Sequence, residues 1–320
     1  TIKPEMVPEL RDTLQLAVVS RVLVIETGIN KNNLNLICMK NLLFAFILSL
    51  ISIGRLMSQT AVAPSVGDGT SGNPYQIETW QNLYWVSQNS AVWNMYFIQS
   101  QDIDLSTATP AISTWNSGAG WTPIGTYGTP FTGNYNGQNH TISGLFINKQ
   151  SGSEQGLFGA ISASTVRNLD VTNVNITAYS SVGAIVGRSV SNSIIENCKS
   201  SGTIAGSGND VGGLSGYNSA TTIRYCSSSC NLGVVSNNPF YYGGLAGAVV
   251  SSSVVEYCSA TGNINGKYHN GGLIGRAETS TVRYCFAKGN LNFVGYGGGL
   301  ISYCDVTSVS NSYSTSNVNC

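Results

Sequence analysis

Charge is scarce in this chain, and its scarcity excludes several classes of function. The 320 residues include 15 Lys and Arg and 15 Asp and Glu, so 9% are charged and the formal net charge is zero. An average soluble domain has about 25% charged residues. Because no basic field is present to attract nucleic acid, we expect no nucleic-acid partner.

Motifs for catalysis and metal binding are also missing. The sequence has no Gly-x-Ser-x-Gly, His-Glu-x-x-His, Cys-x-x-Cys or phosphate-binding loop, and His140 and His269 are far apart. The acidic residues are scattered, apart from Asp102 and Asp104. We interpret these two as hydrogen-bonding groups at a turn, and a carboxylate pair for acid–base work is the alternative. We therefore predict no catalytic residue, no metal site and no cofactor.

The sequence has no apolar run long enough to span a bilayer, but it has one shorter run. Residues 42–53 follow Met39-Lys40-Asn41 and lead to Ser58, which is the pattern of a secretory signal peptide. A buried core helix is the alternative. We expect 1–38 to be an upstream segment outside the mature protein, 39–58 a signal peptide and 59–71 a linker. The mature protein is then secreted or on the cell surface, without a membrane span.

What the sequence does contain is a repeat with a Gly-Gly-Leu-x-Gly core. Consecutive cores start 28, 29, 31, 28 and 27 residues apart. They occupy residues 155–159, 183–187, 212–216, 243–247, 271–275 and 298–302. A fixed period of this length indicates one structural unit stacked on itself, which is a solenoid.

Short runs of β-branched residues recur at fixed phase in the copies, separated by Gly and Asn. They are typical of strands joined by tight turns. One column of expected inward positions comprises Val166, Ile195, Ile223, Val255, Val282 and Val309; another comprises Asn175, Ile204, Leu232, Ile264, Leu291 and Val318. We predict an all-β fold, a right-handed parallel β-helix (β-solenoid), whose recurring glycines allow turns with positive φ.

Cysteines and charges follow the same period. Cys198, Cys226, Cys258 and Cys285 share a phase, which predicts a buried stack of thiols, with disulfides or a metal site as alternatives. Two residues earlier, the charge alternates in sign, which favours a single stacking register. This charged column comprises Arg167, Glu196, Arg224, Glu256 and Arg283. A neighbouring column of Tyr225, Tyr257 and Tyr284 is interpreted as structural stacking outside the strands.

Residues 72–150 precede the repeats and differ from them, since all five tryptophans lie there. We interpret this segment as an N-terminal cap with the first irregular coils, followed by repeats over 151–320 that stop within a copy at Cys320. Thr79 is a candidate cap for a short helix from Trp80 to about Gln88. Strands are expected within 96–105 and 140–147, with a turn at Tyr135-Asn-Gly-Gln before the second.

An aromatic strip is the best candidate for a binding surface. Aromatic residues precede three consecutive cores at one corner of the predicted coils: Phe240, Tyr241, Tyr242, Tyr268, His269 and Tyr296. Exposed aromatic side chains suit sugar rings or a protein partner. The alternative is that they cover the turn and shield an apolar edge.

The repeats resemble a known family. The cores followed by Ile195-Glu-Asn-Cys198, Ile223-Arg-Tyr-Cys226 and Val255-Glu-Tyr-Cys258 are similar to the GLUG-motif repeats of secreted bacterial surface proteins, common in Bacteroidetes. The resemblance covers residues 68–320 and implies a cell-surface or secreted β-helix, often adhesin-like, without a general catalytic motif.

Three functions remain open from the sequence. The first is an adhesin or a module that binds glycan or protein, and the chain is then not an enzyme. The second is a passive stalk or spacer. The third is a polysaccharide lyase or hydrolase of the β-helix type. The ligand and the oligomeric state are left open.

Overall fold

The structure is a computed structural model that describes residues 59–235 and 240–319. The predicted upstream segment and signal peptide, residues 1–58, therefore lie outside the described residues. The same holds for residues 236–239, which belong to the longest repeat, and for Cys320.

The helix expected in the cap has the predicted bounds. In α1 (Trp80–Gln88), the Thr79 hydroxyl accepts a hydrogen bond from the Asn82 N–H at 3.2 Å. Asn82 Oδ1 in turn accepts from the Thr79 N–H at 3.2 Å, which completes a capping box. The inner face of α1 packs on aromatic residues, with the Tyr84 ring 4.8 Å from that of Trp115. This packing anchors the helix to the first coils.

The remaining cap elements are short. They are α2 (Trp115–Gly118), three 3₁₀ turns (Ser90–Val92, Leu105–Thr107, Ile112–Thr114), β1 (Tyr75–Ile77), β2 (Tyr96–Gln99), β3 (Ile103–Asp104), β4 (Asn134–Ser143) and β5 (Phe146–Lys149). The predicted turn at residues 135–138 is wrong, because β4 runs through it. Gln138 and Asn139 have positive φ, and the strand pairing shifts register there, so the chain forms a bulge instead.

The segment predicted as a linker lies along the cap. The Val62 N–H donates to the Gln81 carbonyl at 3.2 Å, and Asn82 Nδ2 donates to the Val62 carbonyl at 3.0 Å. Further along, the Gln76 N–H donates to the Val66 carbonyl at 3.0 Å. Backbone pairing thus attaches residues 62–66 to α1 and β1.

The repeats supply the other strands. They are β6 (Phe158–Ser162), β7 (Thr165–Ala178), β8 (Val186–Val190), β9 (Ile194–Gly206), β10 (Val211–Gly212), β11 (Ser215–Ser219), β12 (Thr222–Arg224), β13 (Ser227–Ser228), β14 (Asn231–Val234), β15 (Tyr242–Gly243), β16 (Ala246–Val250), β17 (Val254–Glu256), β18 (Ser259–Ala260), β19 (Ile264–Asn265), β20 (Asn270–Gly271), β21 (Ile274–Glu278), β22 (Thr281–Arg283), β23 (Phe286–Ala287), β24 (Asn290–Asn292), β25 (Gly297–Gly298), β26 (Ile301–Asp305), β27 (Ser308–Ser310), β28 (Tyr313–Ser314) and β29 (Asn317–Asn319).

These strands stack as a parallel β-helix, which confirms the predicted fold class. One six-stranded sheet takes a strand from each of six coils: β6, β8, β11, β16, β21 and β26. A short four-stranded sheet contains β10, β15, β20 and β25, and the remaining strands join those of the cap in a sheet of 19 strands. Strands of successive coils pair in parallel. Each residue phase therefore forms a column along the solenoid.

The predicted inward columns form the core except in the last coil, where Val309 and Val318 are 43% and 45% exposed, and they contain one error of register. Val166, Ile195 and Ile223 are paired in successive coils and fully buried. The second column begins at Ile176, not at Asn175, because β7 has an irregular register between Val171 and Val174. An extra residue in β7 displaces every later position by one, which the regular sequence spacing of the other coils does not show.

The glycines of the repeat cores have a different role from the predicted one. Positive φ occurs at non-glycine corner residues instead, and the core glycines have none. A Cβ on Gly244 would lie 2.2 Å from the Gly272 carbonyl oxygen, and one on Gly272 would lie 2.0 Å from that of Gly299. Glycine is thus required there because the backbones of stacked coils approach closely.

The cysteine column is a stack of buried free thiols, as predicted. Cys198, Cys226, Cys258 and Cys285 are unpaired and at most 2% exposed. Each thiol donates to the carbonyl two residues before it, at 3.1 to 3.2 Å. Burial in this apolar column raises the pKa of Cys226 well above its usual range.

The alternating charges are stacked in the predicted register. Arg224 is paired with Glu196 on one side and with Glu256 on the other, and Glu256 is paired with Arg283. Two ion pairs form, Arg224 Nε to Glu196 Oε1 at 2.8 Å and Arg283 Nη2 to Glu256 Oε2 at 2.6 Å. A change in the stacking register of these strands would break both ion pairs.

We expect Glu256→Arg to lower the Tm by about 2 to 4 °C, because it places three positive charges in consecutive rungs. Thermal unfolding followed by circular dichroism measures this. Lys288→Glu, an exposed charge reversal outside the column, is the matched control and should change the Tm less. Equal shifts for the two variants would contradict the stacking role of the column.

Candidate binding surface

A corner of the coil with left-handed backbone creates the candidate surface. Ser181, Asp210, Tyr241 and His269 occupy the same phase and have φ of 52°, 61°, 64° and 51°. The next residue in each coil belongs to an inward column that includes Val182, Val211 and Tyr242. The positive φ turns the chain here, so the corner residues point away from that column.

Five rings of the predicted strip lie together at this corner. Phe240 stacks on Tyr268 with ring centroids 5.3 Å apart, and His269 lies 5.1 Å from both Tyr241 and Tyr296. We call Phe240, Tyr241, Tyr268, His269 and Tyr296 the aromatic corner. Tyr296 is 68% exposed, and partial burial lowers the pKa of His269, which favours a neutral imidazole between two tyrosine rings.

Tyr242 does not belong to this surface. It is fully buried and forms part of an inward column, where it is paired with Val211 and Asn270. The strip was predicted from aromatic content alone, and side chains of adjacent residues on a strand point to opposite sides. Tyr242 therefore contributes to the core, and its neighbour Tyr241 to the surface.

Charged groups border the aromatic corner. The Arg276 guanidinium carbon lies 4.8 Å from the centroid of the Tyr241 ring, within the range of a cation–π contact. Arg276 also approaches two carboxylates, Asp210 at 3.6 Å and Glu278 at 3.5 Å. Asp210 is only 8% exposed, and its Oδ1 accepts no hydrogen bond from the described residues. Arg276 Nη2 faces this oxygen at 3.6 Å, which is an ion-pair distance but too long for a hydrogen bond.

A second cation–aromatic group lies further along the same face. The guanidinium carbon of Arg188 is 4.3 Å from the centroid of Tyr217 and 5.2 Å from that of Tyr127. Burial raises the pKa of the nearby Glu154, and the charge of Arg188 opposes that shift. The face next to the corner thus combines aromatic rings, guanidinium groups and partly buried carboxylates.

Sequence reasoning missed Arg276, although a signal was present. The first residue after each repeat core forms one outward column of the six-stranded sheet: Ala160, Arg188, Tyr217, Ala248, Arg276 and Tyr303. Aligning the cores exposes this column directly. Its residue types vary from coil to coil, so a search for a recurring residue does not find it.

The acidic residues of the cap form hydrogen bonds. Asp104 Oδ1 accepts from the Ser106 N–H at 2.9 Å, and these bonds lower the pKa of Asp104. Asp102 accepts from the Thr141 N–H at 2.8 Å and lies 3.1 Å from His140 Nδ1. Within residues 59–235 and 240–319, no three His, Cys, Asp or Glu side chains are grouped to hold a metal ion.

The family comparison matches two segments of the repeat region. The model of the GLUG motif matches residues 178–205 and 238–265. Two repeats of this chain therefore match the GLUG motif. The second matched segment includes Phe240 and Tyr241, two of the five residues of the aromatic corner.

Curated relatives share part of the chain. Halomucin of Haloquadratum walsbyi is 36% identical over 122 residues, which cover 38% of this chain and 1% of halomucin. A protein provisionally named a Gly-rich membrane protein, from Evansella cellulosilytica, is 41% identical over 125 residues, which cover 38% of this chain and 14% of that protein. The chain with GLUG repeats thus spans a small part of the relatives it matches.

Solved structures share the fold. A Bacteroides ovatus chain, provisionally assigned as an immunoglobulin A1 protease, aligns with a TM-score of 0.63 at 21% identity, covering 79% of both chains. An IgA1 protease aligns with a TM-score of 0.59 at 18% identity, covering 76% of this chain and 19% of that one. At this identity the likeness shows the β-helix alone. No helix among the described residues is long and apolar enough to cross a membrane.

The stability of the β-helix should depend on the charge of Asp210. Burial raises the pKa of Asp210 from 3.8 to about 6, and Arg276 and Arg188 oppose this while Glu278 adds to it. Because the folded pKa is the higher, the contribution of Asp210 is fully present below pH 3.8 and is lost as the pH rises through 6.

We therefore expect Asp210→Asn, which removes the buried charge, to raise the Tm at pH 7.5. The corresponding increase in the free energy of unfolding is about 2 to 3 kcal/mol. At pH 4.5 the shift should be much smaller. Asn also tolerates positive φ, so any backbone effect is the same at both pH values. Differential scanning calorimetry measures both Tm shifts. A shift of equal size at the two pH values would refute the burial argument.

Proposed function

We propose that this chain is an exported surface protein whose aromatic corner binds glycan. The observation that carries the proposal is the grouping of five aromatic rings beside Arg276 and Asp210. Sugars are bound by aromatic rings that contact their apolar faces together with polar groups that satisfy their hydroxyls. The corner supplies both.

Rigid support favours binding over a covering role. The rings are held by β15, β20 and β25, which pair in parallel and lie against the core. Gly271 and Gly298 pair directly, so the coils bearing His269 and Tyr296 keep a fixed spacing. A site whose groups are already in place loses less conformational entropy when it binds a ligand.

The relatives are consistent with a place outside the cell. The names halomucin and Gly-rich membrane protein agree with a surface or membrane location, and residues 39–58 have the pattern that we predict to be a signal peptide. An adhesin would use the β-helix to present the aromatic corner at a distance. A passive stalk would not need the ring cluster.

Glycan binding should depend on the aromatic corner. The double variant Tyr241→Ala/Tyr268→Ala removes the Tyr268 ring, which stacks on Phe240, and the Tyr241 ring, which lies against His269. We expect a loss of affinity of about 5- to 150-fold for the glycans that the unmodified protein binds on an array, since two ring contacts contribute about 1 to 3 kcal/mol together. Isothermal titration with the best array ligand gives the affinity.

Tyr96→Ala is the matched control, since Tyr96 is an exposed tyrosine on β2, outside the aromatic corner. It should leave affinity unchanged. A protein that binds no glycan, or a double variant that retains every glycan bound by the unmodified protein, would support a passive stalk instead.

Export should remove the N-terminal segment. When the full chain is produced in a bacterial host with a secretory pathway, we expect the exported protein to begin close to Gln59. N-terminal sequencing of the protein outside the cytoplasm tests this. An Ile51→Arg/Ile53→Arg variant, which interrupts the apolar run, should stay inside the cell with residues 1–58 attached. Export of this variant would refute the signal-peptide interpretation.

A further inference from the structure

A column of stacked tyrosines lies at a second corner of the solenoid. Tyr225, Tyr257 and Tyr284, the tyrosine ladder, have ring centroids 5.1 and 4.9 Å apart and ring planes within 11° and 5° of parallel. The three side chains are 53%, 46% and 47% exposed. In each coil the preceding residue belongs to the charged column and the following residue is a buried cysteine.

The three rings of the ladder are stacked one on another. Parallel aromatic rings in van der Waals contact are about 3.5 Å apart, whereas the centroids here are 5.1 and 4.9 Å apart. The separation of the rings is close to the spacing of stacked strands, so each coil places one ring above the next. The ladder is therefore a row of rings, each about half exposed.

The backbone at these positions is unfavourable for tyrosine. Tyr225, Tyr257 and Tyr284 have φ of 55°, 54° and 54°, a left-handed conformation that a bulky residue adopts at a cost in free energy. The same corner in other coils is formed by residues that tolerate it: Asn168, Asn197 and Asn311, with φ of 54°, 50° and 49°. Asparagine closes this corner without strain, so folding alone does not require tyrosine there. Strained residues of this kind concentrate at functional sites.

The surroundings of the tyrosine ladder are polar and electrically neutral. On one side lie the Arg224–Glu196 and Arg283–Glu256 ion pairs, whose charges cancel. On the other side is a trough of about 360 Å³ with Ser227, Ser229, Ser259 and Thr261 in its lining. Lys199 and Asp170, paired at 3.3 Å, also line the trough.

We propose that the tyrosine ladder and the adjoining trough bind a linear, uncharged polysaccharide that lies along the solenoid axis. The spacing of the rings is close to the length of one pyranose unit in an extended chain, so successive sugars meet successive rings. The hydroxyls of the trough and the paired charges exchange hydrogen bonds with the sugar hydroxyls. The cancelled charges favour a neutral polymer over a polyanion. This site is separate from the aromatic corner and does not depend on its function.

Asparagine, which occupies this corner in other coils, provides the substitution for the test. In the triple variant Tyr225→Asn/Tyr257→Asn/Tyr284→Asn, the backbone keeps its left-handed corner and loses the rings. Affinity electrophoresis of the full chain is carried out in gels containing hydroxyethyl cellulose, xylan or mannan, with polygalacturonate as the charged polymer. We expect at least one neutral polymer to retard the unmodified protein, and the triple variant to bind it at least tenfold more weakly.

Two further variants locate the site. Ser229→Glu, which places a charge in the trough, should also weaken binding to the neutral polymer. The aromatic-corner variant Tyr241→Ala/Tyr268→Ala should bind it normally, so that failure of the corner as a glycan site and failure of the ladder are distinguished. The Tm of the triple variant, measured in parallel, should be unchanged or higher.

Three results would overturn the proposal. One is that no neutral polymer retards the unmodified protein. Another is unchanged binding by the triple variant, with a lower Tm, which would make the ladder a structural stack only. The third is equal or stronger retardation by polygalacturonate, which would assign the surface to polyanions.

Discussion

The structure depends on one constraint, which is that every coil must repeat the backbone path of the coil before it. Parallel pairing fixes the distance between coils, and the interior side chains of one coil are buried only by the matching side chains of the next. Gly244 and Gly272 show how strict this is, because no side chain fits between their backbones and the following coil.

The same constraint gives the surface its organisation. A residue that points outward in one coil lies next to the residue of the same phase in the next coil. Outward side chains of one phase therefore form a column on the surface. The column of Arg224 and Glu256 alternates charge and stabilises the register. The columns that begin at Tyr225 and Tyr241 consist of neighbouring aromatic rings. Both aromatic columns occupy corners with positive φ, where the backbone turns and the side chains point outward.

The sequence predicted what repeats and failed where the repeat is interrupted. The thiol column, the charge alternation and the helix capped by Thr79 could be read from spacing and residue type. The bulge in β7 could not, because one extra residue leaves the composition unchanged and moves Ile176 into the place expected for Asn175. Tyr242 was assigned to the surface because aromatic content does not reveal which of two neighbours points inward. Arg276 was missed since its column varies from coil to coil.

The tyrosine ladder has a consequence for how such a protein changes over generations. Because each of three coils contributes one ring, duplication of such a coil lengthens the row by one ring without altering any existing contact. The number of contacts to a long polymer then scales with the number of coils, and so does the strength of attachment. Selection for stronger attachment can therefore act on the number of coils rather than on the design of a pocket.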